Sequence, residues 1–202
     1  MPRILPTAAF SRITLDIAPI AVGEKFGRIH RLAYPDPLSF GKNPTRFSDP
    51  RRRVPANRFG VLYLGASLKV CFIETILRDD RDGIVGEVEV EEAELDDRCY
   101  AEVRVREPLR LLDLTGDGPV RMGIPSDVVR GSRQGLARQW SLVFHDHPAA
   151  IDGIIYPSRL NNETNLAIYG RSVPKLEPLR NQSLKRAPGM ADILDDFQVA
   201  LI

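Results

Sequence analysis

The chain is poor in the residues that usually announce chemistry, with two cysteines, one tryptophan and three histidines in 202 residues. Cys71 and Cys99 cannot build a disulfide framework. One bridge is arithmetically possible, but both cysteines fall in apolar stretches, and buried free thiols are the expectation. No zinc-type spacing occurs. His145 and His147 flank Asp146, yet no third ligand stands nearby, and helix C-termini favour histidine for dipole reasons alone. A P-loop, a dinucleotide fingerprint and a GxSxG elbow are all missing. Net charge is nearly absent as well: 28 Lys and Arg against 27 Asp and Glu leave +1. That gives no long-range pull toward nucleic acid or anionic lipid. The run Arg51, Arg52, Arg53 has no interleaved aromatics and reads as a solvated loop. No apolar run reaches bilayer length, and MPRILPTAAF does not read as a signal peptide. A cytoplasmic globular protein with no membrane or direct nucleic-acid partner is expected, without repeats or low-complexity tracts.

Apolar pattern supplies the elements. FGRIHRLA (26–33) alternates as a strand, and the Pro-, Gly- and Asp-rich stretch 34–57 is a long loop. Loops of that length in a compact domain are usually disordered or functional. FGVLYLG reads as a strand and SLKVCFIETILRDD as a helix with Ser67 at its cap. IVGEVEVEE (84–92) and CYAEVRVRE (99–107) alternate apolar with charged residues, as half-exposed strands do. LRLLDLT (109–115) is a further strand, SDVVRG and SRQGLARQWSLVFHDH are helical, and DGIIYPSRLNN and TNLAIYGR are late strands. VPKLEPLRNQSLKRAPG reads as a linker and MADILDDFQVALI as a terminal amphipathic segment. Helices are interspersed among the strands rather than alternating regularly, so the class is α+β.

Several polar residues sit where packing does not ask for them. Glu74 is a lone carboxylate in a helix apolar around most of its circumference, and such a helix is normally buried. Burying an unpaired carboxylate costs roughly several kcal/mol unless it finds donors or a task. The plainer account pairs it with Arg78, one turn on, at about 0.3–0.5 kcal/mol. Arg28 and His30 share a face of GRIHR, Arg46 lies inside the long loop, and Tyr156 and Ser158 end an apolar strand. Taken singly, each has an ordinary explanation in pairing or turn capping.

In order, GRIHR, DPLSFG, TRFSDP, FGVLYLGAS with ETIL, DGIIYPSR and LAIYGR resemble the RES-domain family, over roughly residues 26–171. The resemblance implies a toxin of a toxin–antitoxin pair whose partner is an Xre-type helix-turn-helix antitoxin. It also implies an ADP-ribosyltransferase-like fold of mixed β-sheets with flanking helices, and an enzyme that consumes NAD as substrate without a metal. The naming Arg, Glu and Ser of the family map onto Arg46, Glu74 and Ser158, and Arg28 and Tyr63 join them as expected site residues. On that basis residues 1–25 form an N-terminal extension, 26–174 the domain and 175–202 a C-terminal extension.

The implied chemistry suits these residue types. Cleaving the nicotinamide–ribose bond releases a neutral base and leaves an oxocarbenium-like sugar, as in glycoside hydrolysis. A preorganised carboxylate such as Glu74 stabilises that charge. Tyr63 can stack on nicotinamide, Arg28 and Arg46 can fork onto the pyrophosphate, and the Ser158 hydroxyl can orient carboxylate or ribose. The acceptor of ADP-ribose is a protein side chain, water or phosphate. A binding module without chemistry is the alternative, with Glu74 then paired to Arg78. A nucleic-acid-directed toxin using the arginine run is a third reading, against which the near-zero charge speaks.

Overall fold

Strands with one apolar face set the frame, and a computed structural model describes them over residues 5–51, 54–78, 83–132 and 134–202. Eight strands form one sheet: β1 (Ile17–Ile20), β2 (Lys25–Arg31), β3 (Val61–Gly65), β5 (Arg98–Val105), β6 (Leu109–Asp113), β7 (Gly153–Pro157), β8 (Thr164–Tyr169) and β9 (Leu176–Ser183). Their spatial order is β1-β6-β7-β8-β3-β2-β5-β9, and every pair is antiparallel except β6 with β7. β4 (Val88–Val90) and β10 (Val199–Leu201) pair in parallel as a separate ribbon. The helices are α1 (Leu68–Phe72), α2 (Glu92–Asp96), α3 (Gly118–Arg121), α4 (Ser126–Arg130), α5 (Gln134–His145) and α6 (Met190–Asp196). The expected α+β class, mixed in strand direction with flanking helices, is what the chain adopts.

The sheet curls. One core cluster unites Ile20 of β1 and Leu109 and Leu111 of β6 with Val103 and Val105 of β5 and Leu176 of β9. Those strands lie at opposite ends of the order, so their apolar faces meet only if the sheet bends back on itself. Turn hydrogen bonds close the bend, with Gly23 N–H donating to Val105 O and Val105 N–H to Glu24 O, both at 2.9 Å. The central strands are buried on both faces. In β3, Leu62 and Leu64 enter the inner cluster, whereas Val61 and Tyr63 pack with Phe47, Trp140 and Phe144 under α5. A third cluster holds α1 and α6 together through Phe72, Ile76, Met190 and Ile193. β2 and β3 share only the Gly27–Gly65 pair before they diverge.

Four expectations need correction or completion. The stretch read as a linker contains β9, paired along its length with β5 around a bulge at Glu102/Val103. It is an edge strand in which only Leu176 is buried, so it lacks the apolar alternation that marks a half-buried strand. Of 84–92 only Val88–Val90 is strand, and the acidic residues after it open α2 instead. The terminal segment is a short helix followed by β10, and Met190 and Ile193 of that helix are core residues. The helix after Ser67 widens into a π-turn at Ile73–Leu77, and Asp79 and Asp80 lie outside the described residues. Cys71 and Cys99 are both free and buried. Among the described residues, no helix is long and apolar enough to cross a membrane.

Candidate active site

The site grows from a glycine. At Gly65 any Cβ would stand 2.6 Å from Val70 Cγ1 and 2.8 Å from Cys71 Sγ, so only glycine lets α1 lie this close to the sheet. Ser67 caps that helix, its Oγ accepting from Val70 N–H at 3.1 Å and donating to Glu163 Oε2 at 2.6 Å. The π-turn then swings Glu74 toward β8, a local widening that is frequent at functional sites. There Asn165 Nδ2 donates to Glu74 Oε1 at 3.0 Å. Among the described residues Glu74 forms no ion pair with Arg78, so the surface-pair account of this carboxylate fails.

Glu74 faces a cleft of about 620 Å³ that opens where β2 and β3 part. Among the described residues four arginines line it, Arg28, Arg46, Arg78 and Arg159, against one carboxylate. In a chain whose net charge is +1, that is a local concentration of positive charge, and clefts of this kind focus field on anions. The volume falls in the range of about 300–1,000 Å³ usual for small-molecule sites.

Each expected residue has a definite place. Arg28 on β2 donates through Nη1 to the Pro37 carbonyl. Burial lowers its pKa to about 10, against the opposing pull of Asp36, so it stays a cation at neutral pH. Arg46 donates through Nη1 to Gly131 O at 2.9 Å and more weakly to Val129 O at 3.4 Å, just past the end of α4. Neither arginine has a carboxylate partner among the described residues. The loop carrying Arg46 is pinned rather than loose. Phe47 is fully buried, and its N–H donates to the Tyr63 hydroxyl at 2.9 Å, which also meets Thr45 Oγ1 at 2.9 Å. Tyr63 thus spends its hydroxyl on anchoring the loop, while its side chain forms part of the cleft wall. Burial raises the Tyr63 pKa, only partly offset by those bonds. Arg52 and Arg53 of the basic run lie outside the described residues, and Arg51 is bound to buried Asp49 at 2.5 Å.

Ser158 is not brought to the cleft wall. Its side chain is fully buried, its Oγ accepts from Leu160 N–H at 3.1 Å, and its own N–H donates to Glu163 O at 2.6 Å. It holds the turn from which Glu163 reaches Ser67, two links from Glu74. His30 also lies elsewhere, bridging the Tyr34 carbonyl and Asn181 Oδ1 at 3.0 Å each. His145 stacks on Phe59 at 4.1 Å and contacts Asp146 at 2.7 Å. Cys71 touches the cleft, but burial pushes its thiol up to about 12, so it is a neutral wall residue.

Asn165 and Tyr156 escaped the sequence-based list. They face each other across β7 and β8, and both are buried while lining the cleft. The signal for Asn165 was an amide opening the otherwise apolar run LAIY. Tyr156 was visible as a polar residue in an apolar strand, with nothing to rank it above its neighbour Ser158.

A curled mixed sheet thus carries a cationic cleft beside one anchored carboxylate, and comparison with known proteins supplies the family. The RES-domain model matches residues 25–190, so the chain belongs to the RES-domain family. It is 39% identical over 127 residues to the probable toxin y4kH of Sinorhizobium fredii, a match covering 62% of this chain and all of that one. Its fold is that of a chain in the crystal structure of the MbcT–MbcA toxin–antitoxin complex of M. tuberculosis, with a TM-score of 0.59 and 17% identity over 89% of this chain and 91% of that one. The resemblance read from the motif series therefore identified the family.

Proposed function

We propose that this protein is the toxin of a toxin–antitoxin pair and that it acts on NAD in this cleft. The observation carrying the proposal is one carboxylate, held by a buried amide, in a cleft where Arg28 and Arg46 have no carboxylate partner among the described residues. The guanidinium forks of Arg28 and Arg46 suit a pyrophosphate. Glu74 then stands at the reacting ribose. As the bond from C1′ to the nicotinamide nitrogen breaks, its electron pair leaves with nicotinamide, and the carboxylate stabilises the cationic sugar. The acceptor that closes the bond to C1′ is a protein side chain, water or phosphate, with ADP-ribosyl transfer to protein as the leading assignment. Tyr63 borders the nicotinamide, and Ser158 acts through the turn that positions α1. The family membership and the named likeness to a probable toxin support the toxin role, with an Xre-type antitoxin as partner and the cytoplasm as the compartment.

Incubating purified protein with NAD and following free nicotinamide by chromatography tests the reading. Release of nicotinamide is expected, with mass spectrometry of the second product identifying the acceptor. Tight NAD binding without nicotinamide would favour a binding module.

A further inference from the structure

Tyr156 is at once a core residue and a cleft residue. It is 7% exposed, its ring packs edge-on against Phe47 at 4.9 Å, and it lines the cleft. Its hydroxyl has no hydrogen-bond partner among the described residues, whereas the fully buried Tyr169 bonds Ser141 through its own. The Tyr156 oxygen is not among the sealed, partnerless side-chain atoms of the described residues, Arg58 Nε and His147 Nε2, so it reaches the open space of the cleft. A ligand in the cleft can therefore take the hydrogen bond that no described residue makes. Burial, together with the nearby Tyr63 and Glu74, raises the pKa well above the ordinary tyrosine value, so the group remains a phenol able to donate.

Register decides which part of a ligand it meets. Tyr156 pairs with Asn165 across β7 and β8, and Asn165 is the residue that holds Glu74. The phenol therefore sits beside the carboxylate. We propose that the Tyr156 hydroxyl is a ligand-contacting group that hydrogen-bonds the ribose–nicotinamide half of the substrate and so helps select it. This rests on the proposed action on NAD. It assigns a neutral donor to a neutral acceptor, complementing the arginines at the phosphates and Glu74 at the developing positive charge.

Tyr156→Phe removes only the oxygen and keeps the ring against Phe47, so it separates ligand recognition from folding. The expected result is a fall of about tenfold in kcat/KM for nicotinamide release, the usual size for one lost neutral hydrogen bond. Binding of ADP, which has phosphates but no nicotinamide riboside, should be unchanged, and the melting temperature unchanged or higher. Wild-type kcat/KM in Tyr156→Phe would overturn this inference while leaving the NAD reading intact. Equal weakening of ADP would overturn the assignment to the reacting half. A markedly lowered melting temperature would show that the hydroxyl serves the protein instead. If the parent protein neither binds NAD nor releases nicotinamide, the NAD reading fails and this inference falls with it.

Discussion

Asp152 and Glu74 are both carboxylates set among apolar side chains, and the protein treats them in opposite ways. Asp152, 5% exposed, is saturated: Arg110 N–H donates to one oxygen at 2.8 Å, and Ser172 Oγ and Lys175 Nζ to the other at 2.7 Å each. Burial pushes its carboxyl up, but the bonds from Lys175, Ser172 and Arg110 outweigh that and hold it below its ordinary value. It staples β6, β7 and the turn after β8 together. Among the described residues Glu74 has one hydrogen-bond partner, Asn165, and it opens onto a cleft. A network with nothing left to give is architecture. A group kept partly unspent is available to something that arrives.

The contrast can be broken most severely at Glu74. Glu74→Gln keeps the volume and can still accept from Asn165, so the fold should survive with its melting temperature little changed. On the proposed mechanism nicotinamide release should fall about 100- to 1000-fold, the usual cost of removing a preorganised stabiliser. Near-parental turnover in the folded variant would take Glu74 out of the chemistry.

The converse holds at Asp152. Asp152→Ala strands Lys175, Ser172 and the Arg110 N–H together, and should lower unfolding free energy by about 3 kcal/mol in urea titrations at neutral pH. Turnover per folded molecule should be retained. Because the folded carboxyl titrates below its unfolded value near 3.9, its stabilisation is present above that pH. It disappears as pH falls through the lower, folded value. The gap between parent and Asp152→Ala should therefore shrink in strong acid, and a pH-independent gap would mean the charge is not what stabilises.

A milder effect belongs to the arginines. Arg28→Lys and Arg46→Lys retain charge but lose the planar fork, so calorimetry should show NAD binding weakened about tenfold in each. Arg46→Lys should additionally loosen its loop, because its guanidinium also ties that loop to Gly131 O at 2.9 Å. Unaltered NAD affinity in both would move the pyrophosphate elsewhere in the cleft.

Much of this was legible in the chain. Residues 98–105, 61–65 and 134–145 carry strong apolar periodicity, and each became the element its pattern dictates. Glu74 stood out because a carboxylate in an apolar helix has few explanations. β9 did not stand out, since an exposed edge strand is held by backbone hydrogen bonds to β5 and those leave no mark on side-chain pattern. Ser158 read as a cleft residue by its motif, yet its hydroxyl is turned to Leu160 N–H, a choice made by the local turn.

By itself the sequence determined the α+β class, the strong strands and helices, the family and the residue types a cationic cleft requires. Those follow from local periodicity and from motifs whose order survives in one dimension. Only the tertiary structure decided that Asn165, ninety-one positions from Glu74, is what holds it, and that Tyr156 lies beside them. Such neighbours are set by the register of β7 on β8 and by Gly65 admitting α1 against the sheet. A register is a property of paired strands, and no single strand encodes it.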